Sequence, residues 1–389
     1  MWISVQPNGA YKANYRGPDG RIRSRTFPRG RKAEAKGWAA EQERKIRRRE
    51  WRDPKAGEQP LGGYFDAFLA GAHDLAPSTR ATYETESRLY VKPALGDFPL
   101  AGIAPQDVRA FLADLVARGV GARTVQLSRQ TLSRVLRQAV EDGIIPANPA
   151  ARISVPKTDR RPIRILTVGE VERLADAITP RFRLLVLVGA FGGLRFREVT
   201  ALRRSRVRLL SRRVDVVEGL TEVRGHTAFG PLKTPTSRRT VTIPRSLADE
   251  LGAHMGEFMR PASEDPGGMD LVFTAREGGP IRRTAWRRRH WEPAVRSAGI
   301  EPPPVFHHLR HTAAALAIAA DAHPKAIQAR LGHASITTTL NLYGHLFPGL
   351  DEDLADRLDD ARRNSAAFLL PPGSSEVVTL SGAEAGNAP

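Results

Sequence analysis

Arginine, histidine and tyrosine residues in the second half of the chain have the types and spacing needed for chemistry on a phosphodiester. Arg195 follows a Gly-Gly-Leu sequence at the expected start of a helix. Free N–H groups and the positive end of the helix dipole favour a phosphate there. Glu198, three residues later, lies on the same helix face and could hold the guanidinium in place. An ordinary surface ion pair is the alternative interpretation of this segment.

The sequence HHLRHTAAALAIA places a nitrogen base beside a permanent cation. His307 and Arg310 are three residues apart, so they share a helix face. Proton transfer to a phosphate requires such a pair, with a base for the proton and a cation for the phosphate. The cluster of His307, His308 and His311 could instead bind a metal ion. Zinc and iron sites usually add a carboxylate or a cysteine, and none lies near in the sequence. We therefore favour a site with neither a metal nor another cofactor.

The sequence LGHASITTTLNLYGH supplies a candidate nucleophile. His333 precedes an expected helix that carries Tyr343 and ends near His345. A tyrosine at helical spacing is most often part of a core. Seven of the ten histidines, however, follow residue 289, close to Arg310 and this tyrosine. The clustering indicates a functional site.

Reaction at a phosphodiester would give these side chains distinct roles. Arg195 and Arg310 would bind the nonbridging oxygens and neutralise the charge that otherwise repels a nucleophile. A free tyrosine has a pKa near 10, so Tyr343 needs a base or nearby cations before it can attack. His307 is the expected base.

Composition restricts the class of protein further. The chain has no cysteine, which excludes disulfides, thiolate zinc sites and a cysteine nucleophile. No apolar run reaches the length of a membrane span. Because the N-terminus lacks the pattern of a secretory signal and the chain has no cysteine, we expect a cytoplasmic protein. The net charge is +18, and residues 1–55 carry 16 Lys and Arg against 6 Asp and Glu. A charge that is so concentrated predicts a polyanionic partner, most simply nucleic acid.

Residues 1–55 are expected to form a small α/β domain. Alternating runs at 11–16 and 21–27, joined by Pro18-Asp19-Gly20, predict a hairpin, and a charged helix should follow over about 31–49. The candidate DNA-binding residues are the basic ones among its aromatics: Lys12, Arg16, Arg21, Arg23 and Arg25. The aromatic residues Trp2, Tyr11 and Tyr15 could contact DNA or form the core of the domain.

The rest of the chain is predicted to contain two larger domains. Residues 61–150 show helical periodicity near 62–71, 78–90, 105–118 and 122–141, with nine basic and nine acidic residues. Residues 165–365 mix helices with short strands, and Thr167 with Glu170 forms a capping box. Strands near 213–217 and 240–243 should flank an irregular region, and residues 371–389 should be disordered.

These segments together resemble the tyrosine recombinase family, also called phage integrases. The resemblance covers nearly the whole chain and is strongest over residues 165–347. Arg195 in Gly-Leu-Arg-x-x-Glu, the His-x-x-Arg pair and Tyr343 in Thr-Thr-x-x-x-Tyr-x-His match family motifs, although His308 stands where many members have Asp. The catalytic set implied by the resemblance is Arg195, Lys233, His307, Arg310, His333 and Tyr343.

The resemblance implies a multidomain fold: an α/β arm-binding domain at 1–55, an all-α core-binding domain at 61–150 and an α+β catalytic domain at 165–365. It implies a site-specific recombinase that forms a 3′-phosphotyrosine and a Holliday junction as a homotetramer on double-stranded DNA attachment sites. Lys233 would protonate the departing 5′ oxygen, and His333 would donate a hydrogen bond to the phosphate. An excision factor or a host DNA-bending protein would be further partners, and the protein would act at the nucleoid.

Other interpretations stay open at this point. A Xer-like resolvase, a transposon recombinase and a type IB topoisomerase use similar chemistry, and a DNA-binding regulator could retain the domains without cleavage. A leucine stripe at residues 346, 350, 354 and 358 predicts an acidic C-terminal helix. Such a stripe could pack as a last core helix of its own domain or against a neighbour. The resemblance favours the second, with residues 349–370 docked on an adjacent protomer.

Overall fold

The structure is a computed structural model that describes residues 1–48, 51, 53, 55–156, 163–232, 234–259, 269–346, 355–356 and 358–360. The chain divides into two compact units, Met1–Arg161 and Pro162–Pro389. The residues outside the described ranges include Lys233, Leu350 and Leu354 of the C-terminal leucine stripe, and the tail at 371–389. None of the described helices is long and apolar enough to cross a membrane.

The first unit begins with a three-stranded antiparallel sheet that packs against one helix, as the alternating runs predicted. The strands pair in the order of the chain: β1 (Trp2–Val5), β2 (Tyr11–Arg16) and β3 (Ile22–Phe27). Helix α1 (Lys32–Arg47) covers one face. The core between them contains one phenylalanine and three alanines, whose small side chains allow close approach: Ala13, Phe27, Ala35 and Ala39.

Helices make up the rest of the first unit. They are α2 (Leu61–Gly71), α3 (Pro77–Glu86), α4 (Lys92–Leu95), α5 (Pro105–Ala117) and α6 (Ala122–Glu141). Proline occupies the first position of α3 and of α5, where its missing N–H costs nothing. The long α6 buries one apolar stripe that includes Val125, Leu132 and Leu136. The helical periodicity of the sequence is therefore confirmed.

The second unit is built around a buried central helix. Helix α7 (Val168–Ala177) begins with the predicted capping box, in which Thr167 accepts a hydrogen bond from the Glu170 backbone N–H. Helix α8 (Arg183–Gly192) follows, and nearly all of its residues are buried. The remaining helices are α9 (Phe196–Val199), α10 (Arg245–Phe258), α11 (Arg283–Trp286), α12 (Glu292–Ser297), α13 (Phe306–Ala319), α14 (Pro324–Leu331) and α15 (Ile336–Tyr343).

Two small sheets complete the second unit. Strands β4 (Val207–Arg208), β5 (Arg213–Val216) and β8 (Arg239–Thr242) form an antiparallel sheet in the order β4-β5-β8. Strands β6 (Glu218–Val223) and β7 (His226–Pro231) form a separate hairpin. The described part of this unit therefore mixes α and β elements, as expected.

The region between β5 and β8 was expected to be irregular, and that expectation is wrong. It contains the β6–β7 hairpin, whose two-residue turn is Arg224-Gly225 with φ of 50° and 78°. Positive φ at both turn positions matches the right-handed twist of the paired strands. Charged residues, glycine and proline hide this hairpin in the sequence because they are uncommon in strands.

Candidate active site

The end of α8 places Arg195. Gly193 ends this helix in the left-handed conformation, with φ of 69°. A Cβ atom at Gly193 would approach a Leu331 side-chain carbon to 2.8 Å, so the position requires glycine for space as well as for φ. The chain then turns, and Arg195 lies immediately before α9 as its N-cap residue. The predicted arginine at a helix start is confirmed, although α9 is a single turn.

Glu198 orients two arginines from the buried side of the site. Its carboxylate accepts hydrogen bonds from the Arg195 backbone N–H at 3.0 Å and from Arg195 Nη1 at 2.7 Å. Arg239 on β8 donates to Oε2 of the same carboxylate at 2.9 Å, the oxygen that also accepts from the Arg195 backbone N–H. Burial alone would raise the pKa of Glu198, but the charges of Arg239 and Arg195 outweigh it and lower the pKa. Glu198 is therefore an anion that fixes both guanidinium groups.

Arg239 was not singled out in the sequence. It is almost fully buried and donates to the Arg330 carbonyl at 2.7 Å and to the Ser237 carbonyl at 3.1 Å, besides pairing with Glu198. Its sequence position could have indicated burial, because Arg239 lies two residues before the buried Val241, and residues two apart in a strand point to the same face. Arg239 thus ties β8 to the end of α14 and to Glu198.

Arg310 lies on α13, which packs against α8. A Cβ atom at Gly189 would lie 2.9 Å from a Phe306 carbon and 3.0 Å from a Leu309 carbon, so glycine lets the two helices approach closely. Arg310 is 2% exposed, and its guanidinium donates to the Gly193 carbonyl at 2.7 Å and to the Leu331 carbonyl. Burial lowers its pKa to about 9, which still leaves it charged at neutral pH.

Tyr343, the last residue of α15, is 1% exposed. Its ring belongs to a small hydrophobic cluster with side chains from α13 and α14, including Ile318 and Leu331. The hydroxyl lies 2.7 Å from Nδ1 of His311. Burial raises the pKa of Tyr343 to about 12, although the positive charges of Arg310 and Arg195 act to lower it. The phenol is therefore neutral in the free protein.

His307 and His333 both lie within the electrostatic influence of Arg310 and Arg195. Burial, then the charges of Arg310 and Arg195, lowers the pKa of each imidazole to about 4. His307 is exposed at the residue level, so we expect solvent to temper its shift. His333 Nδ1 lies 2.9 Å from the Thr339 hydroxyl, which fixes the ring between α14 and α15.

Five of the six catalytic candidates are thus brought into one cluster, and Lys233 lies outside the described residues. The cluster combines two fixed guanidinium groups, neutral imidazoles and a phenol within the electrostatic influence of both arginines. Such a group can bind a phosphodiester anion and stabilise a phenolate that attacks it. His311 was considered in the sequence only as part of a histidine cluster, and the structure adds it to the site through Tyr343.

The five basic candidates in the N-terminal sheet do not share one face. Pairing of Tyr15 with Arg23 and of Ala13 with Arg25 places both arginines on the side that α1 covers. Arg23 pairs with Asp19 at 2.8 Å and with Asp53, and it lies 4.6 Å from the Trp51 ring centre. Its contacts are those of a residue that holds the domain together.

Lys12 and Arg16 lie on the opposite, open face of this sheet. They share it with Trp2, which is 45% exposed, and with Ile22, which is 56% exposed. Arg21 is in the turn before β3, and its side chain is exposed. Tyr15, by contrast, is fully buried and accepts a hydrogen bond from Trp51 Nε1 at 3.1 Å. The aromatic residues therefore divide between the core and the open face.

The chain is similar to integrases over most of its length. Residues 164–349 match the Phage integrase family, and residues 65–155 match the Phage integrase central domain. A putative prophage phiRv2 integrase of Mycobacterium tuberculosis is 29% identical over 369 residues, which cover 92% of this chain and 94% of that protein.

Solved structures show the same fold. The Tn1549 transposon integrase in complex with a circular intermediate DNA has a TM-score of 0.68 at 19% identity, covering 77% of this chain and 99% of that one. A lambda integrase tetramer bound to a Holliday junction has a TM-score of 0.56 at 20% identity, covering 86% of this chain and 96% of that one.

Proposed function

Because the chain belongs to the phage integrase family, we propose that it is a site-specific tyrosine recombinase whose nucleophile is Tyr343. The enzyme cuts one DNA strand by forming a 3′-phosphotyrosine, and a 5′ hydroxyl from a partner strand then attacks this linkage. The bond energy is conserved in the phosphotyrosine, so rejoining needs neither ATP nor a metal ion. The biological outcome is integration or excision of a phage or another mobile element.

The observation that best supports this proposal is the position of the Tyr343 hydroxyl. It lies within the electrostatic influence of Arg310 and Arg195, whose guanidinium groups are both held by neighbouring protein groups. Fixed cations stabilise a developing anion without the cost of reorganising at the moment of reaction. In the proposed reaction Arg195 and Arg310 bind the nonbridging oxygens, His333 donates a hydrogen bond to the phosphate, and Lys233 protonates the 5′ oxygen.

The assembly and its partners follow from the same proposal. Holliday-junction exchange joins two duplexes, and the lambda integrase tetramer bound to such a junction supports a tetramer for this chain. We assign residues 1–55 to arm-type DNA sites, 61–150 to the core sites and 165–365 to catalysis. An excision factor or a host DNA-bending protein would set the direction of recombination. Action on a chromosome places the enzyme in the cytoplasm, at the nucleoid.

Alternatives within the same chemistry are a Xer-like or a transposon recombinase. The Tn1549 integrase shares the fold of this chain, so fold alone does not separate these functions. The concentration of basic residues in 1–55 favours an integrase with a second class of DNA site. A regulator without cleavage activity is the alternative from another class.

Covalent trapping tests the proposal. The substrate is a duplex that carries one junction between the mobile element and its host DNA, nicked close to the expected cleavage position so that the released fragment diffuses away. The wild-type protein should form an adduct that survives denaturation, in the presence or absence of EDTA. Tyr343→Phe should form none while it binds the same duplex with unchanged affinity, because only the nucleophilic oxygen is removed.

Tyr90→Phe, which removes a hydroxyl in the other unit, is the matched control and should form adducts at the wild-type rate. A denaturation-resistant adduct from Tyr343→Phe would show that the nucleophile is a different residue. Binding without any adduct from the wild-type protein would favour the regulator, and cleavage that depends on a divalent ion would favour a metal site.

A further inference from the structure

The hydroxyl of Tyr343 has one close polar neighbour among the described residues. Nδ1 of His311 lies 2.7 Å away, and the two ring centres are 5.7 Å apart. His311 is one helical turn after His307 and directly follows Arg310 on α13. Because Tyr343 is 1% exposed, this contact is formed where little water can compete for the phenolic proton.

The two histidines expected from the sequence are placed differently. His333 uses its Nδ1 for the Thr339 hydroxyl, at 2.9 Å. His307 packs edge-on against the ring of His311, with ring centres 5.0 Å apart. A base must lie within hydrogen-bonding reach of the proton that it removes. In the described residues this condition is met by His311 and not by His307.

Burial and the charges around His311 keep its imidazole neutral and able to accept a proton. Burial, followed by His307, His308 and Arg310, lowers its pKa to about 4. With its own proton on Nε2, the neutral ring accepts the phenolic hydrogen at Nδ1. A bound phosphodiester brings a negative charge close to Arg310. This charge offsets the effect of Arg310 and raises the pKa of His311 once DNA is bound.

We propose that His311 is the general base that takes the phenolic proton of Tyr343, an inference that rests on the proposed recombinase function. As the bond from Tyr343 Oη to phosphorus forms, the O–H bond breaks and its proton passes to His311 Nδ1. The bond from phosphorus to the 5′ oxygen breaks in the same step, and that oxygen takes its proton from Lys233. In rejoining, the 5′ hydroxyl attacks phosphorus and its proton returns to Lys233, while the bond from phosphorus to Tyr343 Oη breaks and His311 returns its proton to the departing phenolate.

A bridging 5′-sulfur substrate separates the two proton transfers. A thiolate leaves without protonation, so sulfur at this position relieves the need for an acid on the leaving group but not the need for a base on the nucleophile. Single-turnover adduct formation is measured on the nicked junction duplex with oxygen or sulfur at the scissile bond. His311→Asn and His311→Ala should be about 10²–10⁴-fold slower than wild type on the oxygen substrate and equally impaired on the sulfur substrate. Lys233→Ala should be rescued by sulfur.

His311→Asn also tests a merely structural role, because its side-chain oxygen can still accept a hydrogen bond from Tyr343. Its melting temperature and its affinity for the duplex should match those of the wild-type protein while its rate falls. His308→Asn is the matched control on the same helix and should react within about threefold of wild type. Its imidazole accepts a bond from the Val305 backbone N–H at 3.4 Å, which asparagine can replace, and its ring centre lies 6.2 Å from that of His311, out of contact with the Tyr343 hydroxyl bond.

The outcomes are distinguishable. A wild-type rate from His311→Asn, or rescue of His311→Ala by sulfur, would overturn the assignment of His311 and leave the recombinase intact. A slow reaction of His307→Asn that sulfur does not rescue, beside a fast His311→Asn, would transfer the role to His307. Absence of any adduct from the wild-type protein would overturn the proposed function and this inference with it.

Discussion

At the residue scale, the site holds its histidines neutral, and this has a consequence for stability. The pKa values of His311 and His333 are lowered to about 4 from an ordinary value of 6.5. Between these values the unfolded chain binds more protons than the folded one. The free energy of unfolding should therefore rise with pH from about 4 to 6.5 and level off above, by at most about 1.4 kcal/mol per pH unit for each histidine.

Urea unfolding at a series of pH values, without DNA, measures this slope. His333→Gln should reduce it by about the share of one histidine because glutamine does not titrate, whereas His226→Gln, at an exposed position on β7, serves as the control substitution outside the site. A slope that His333→Gln leaves intact would show that His333 titrates normally in the folded protein. Histidine NMR on the intact chain gives the same pKa values directly.

Residue types and spacing predicted most of the candidate site, and tertiary contacts explain the rest. The pairing of Arg195 with Glu198 follows from a three-residue spacing on one helix. The contact between His311 and Tyr343 joins residues 32 positions apart, and it exists only because α15 packs against α13 and α14. A local pattern carries no information about such docking.

At the element scale, the α8–α9 turn determines where both arginines lie. Gly193 gives the chain its left-handed turn before Arg195, and its carbonyl accepts a hydrogen bond from Arg310. Gly193→Ala should cost about 1–2 kcal/mol for the positive φ. The clash with Leu331 should add about 1–3 kcal/mol and displace the carbonyl that holds Arg310. Adduct formation should fall more than stability alone explains.

Gly299→Ala is the matched control for this element. Gly299 has a similar φ of 62°, and a Cβ atom there would meet nothing within 4 Å. The Gly299→Ala variant should lose only the about 1–2 kcal/mol of stability that the positive φ costs, and it should keep the wild-type cleavage rate. Thermal unfolding and adduct assays on both variants distinguish backbone strain from displacement of the site. Equal losses of activity in the two variants would contradict a specific role for the α8–α9 turn.

Elements with a clear period were the ones that the sequence predicted. Helix α6 carries its apolar residues at regular intervals, and β2 alternates Tyr11, Ala13 and Tyr15 with polar residues. The β6–β7 hairpin has no such regularity, since glycine, proline and charged residues interrupt it. The strand register decides which face of the N-terminal sheet each basic residue occupies. A one-residue shift in register would move every side chain of a strand to the opposite face, and the sequence alone does not determine the register.

At the scale of the whole molecule, charge is distributed unevenly. Residues 1–55 contribute +10 of the net charge of +18. Deleting them should weaken binding to the outer attachment sequences while binding and cleavage at the core sites persist. Fewer neutralised phosphates should also make affinity less dependent on salt. Footprinting of the truncated chain measures both effects, and unchanged protection of the outer sequences would contradict the assignment.

The open face of the N-terminal sheet permits a finer test of the same assignment. Lys12 and Arg16 lie on this face beside the exposed Trp2, whereas Arg23 is engaged by Asp19 and Asp53 on the other side. Replacing Lys12 and Arg16 together by glutamine should reduce the slope of log affinity against log salt by up to about 2, close to one for each phosphate that is no longer neutralised.

Arg23→Gln is the control. It removes the same charge as either single change, but it breaks ion pairs within the domain. It should therefore lower the melting temperature and leave the salt slope nearly unchanged for the fraction that is folded. If Arg23→Gln reduced the slope as much as the double variant without loss of stability, the α1 side of the sheet would face the DNA.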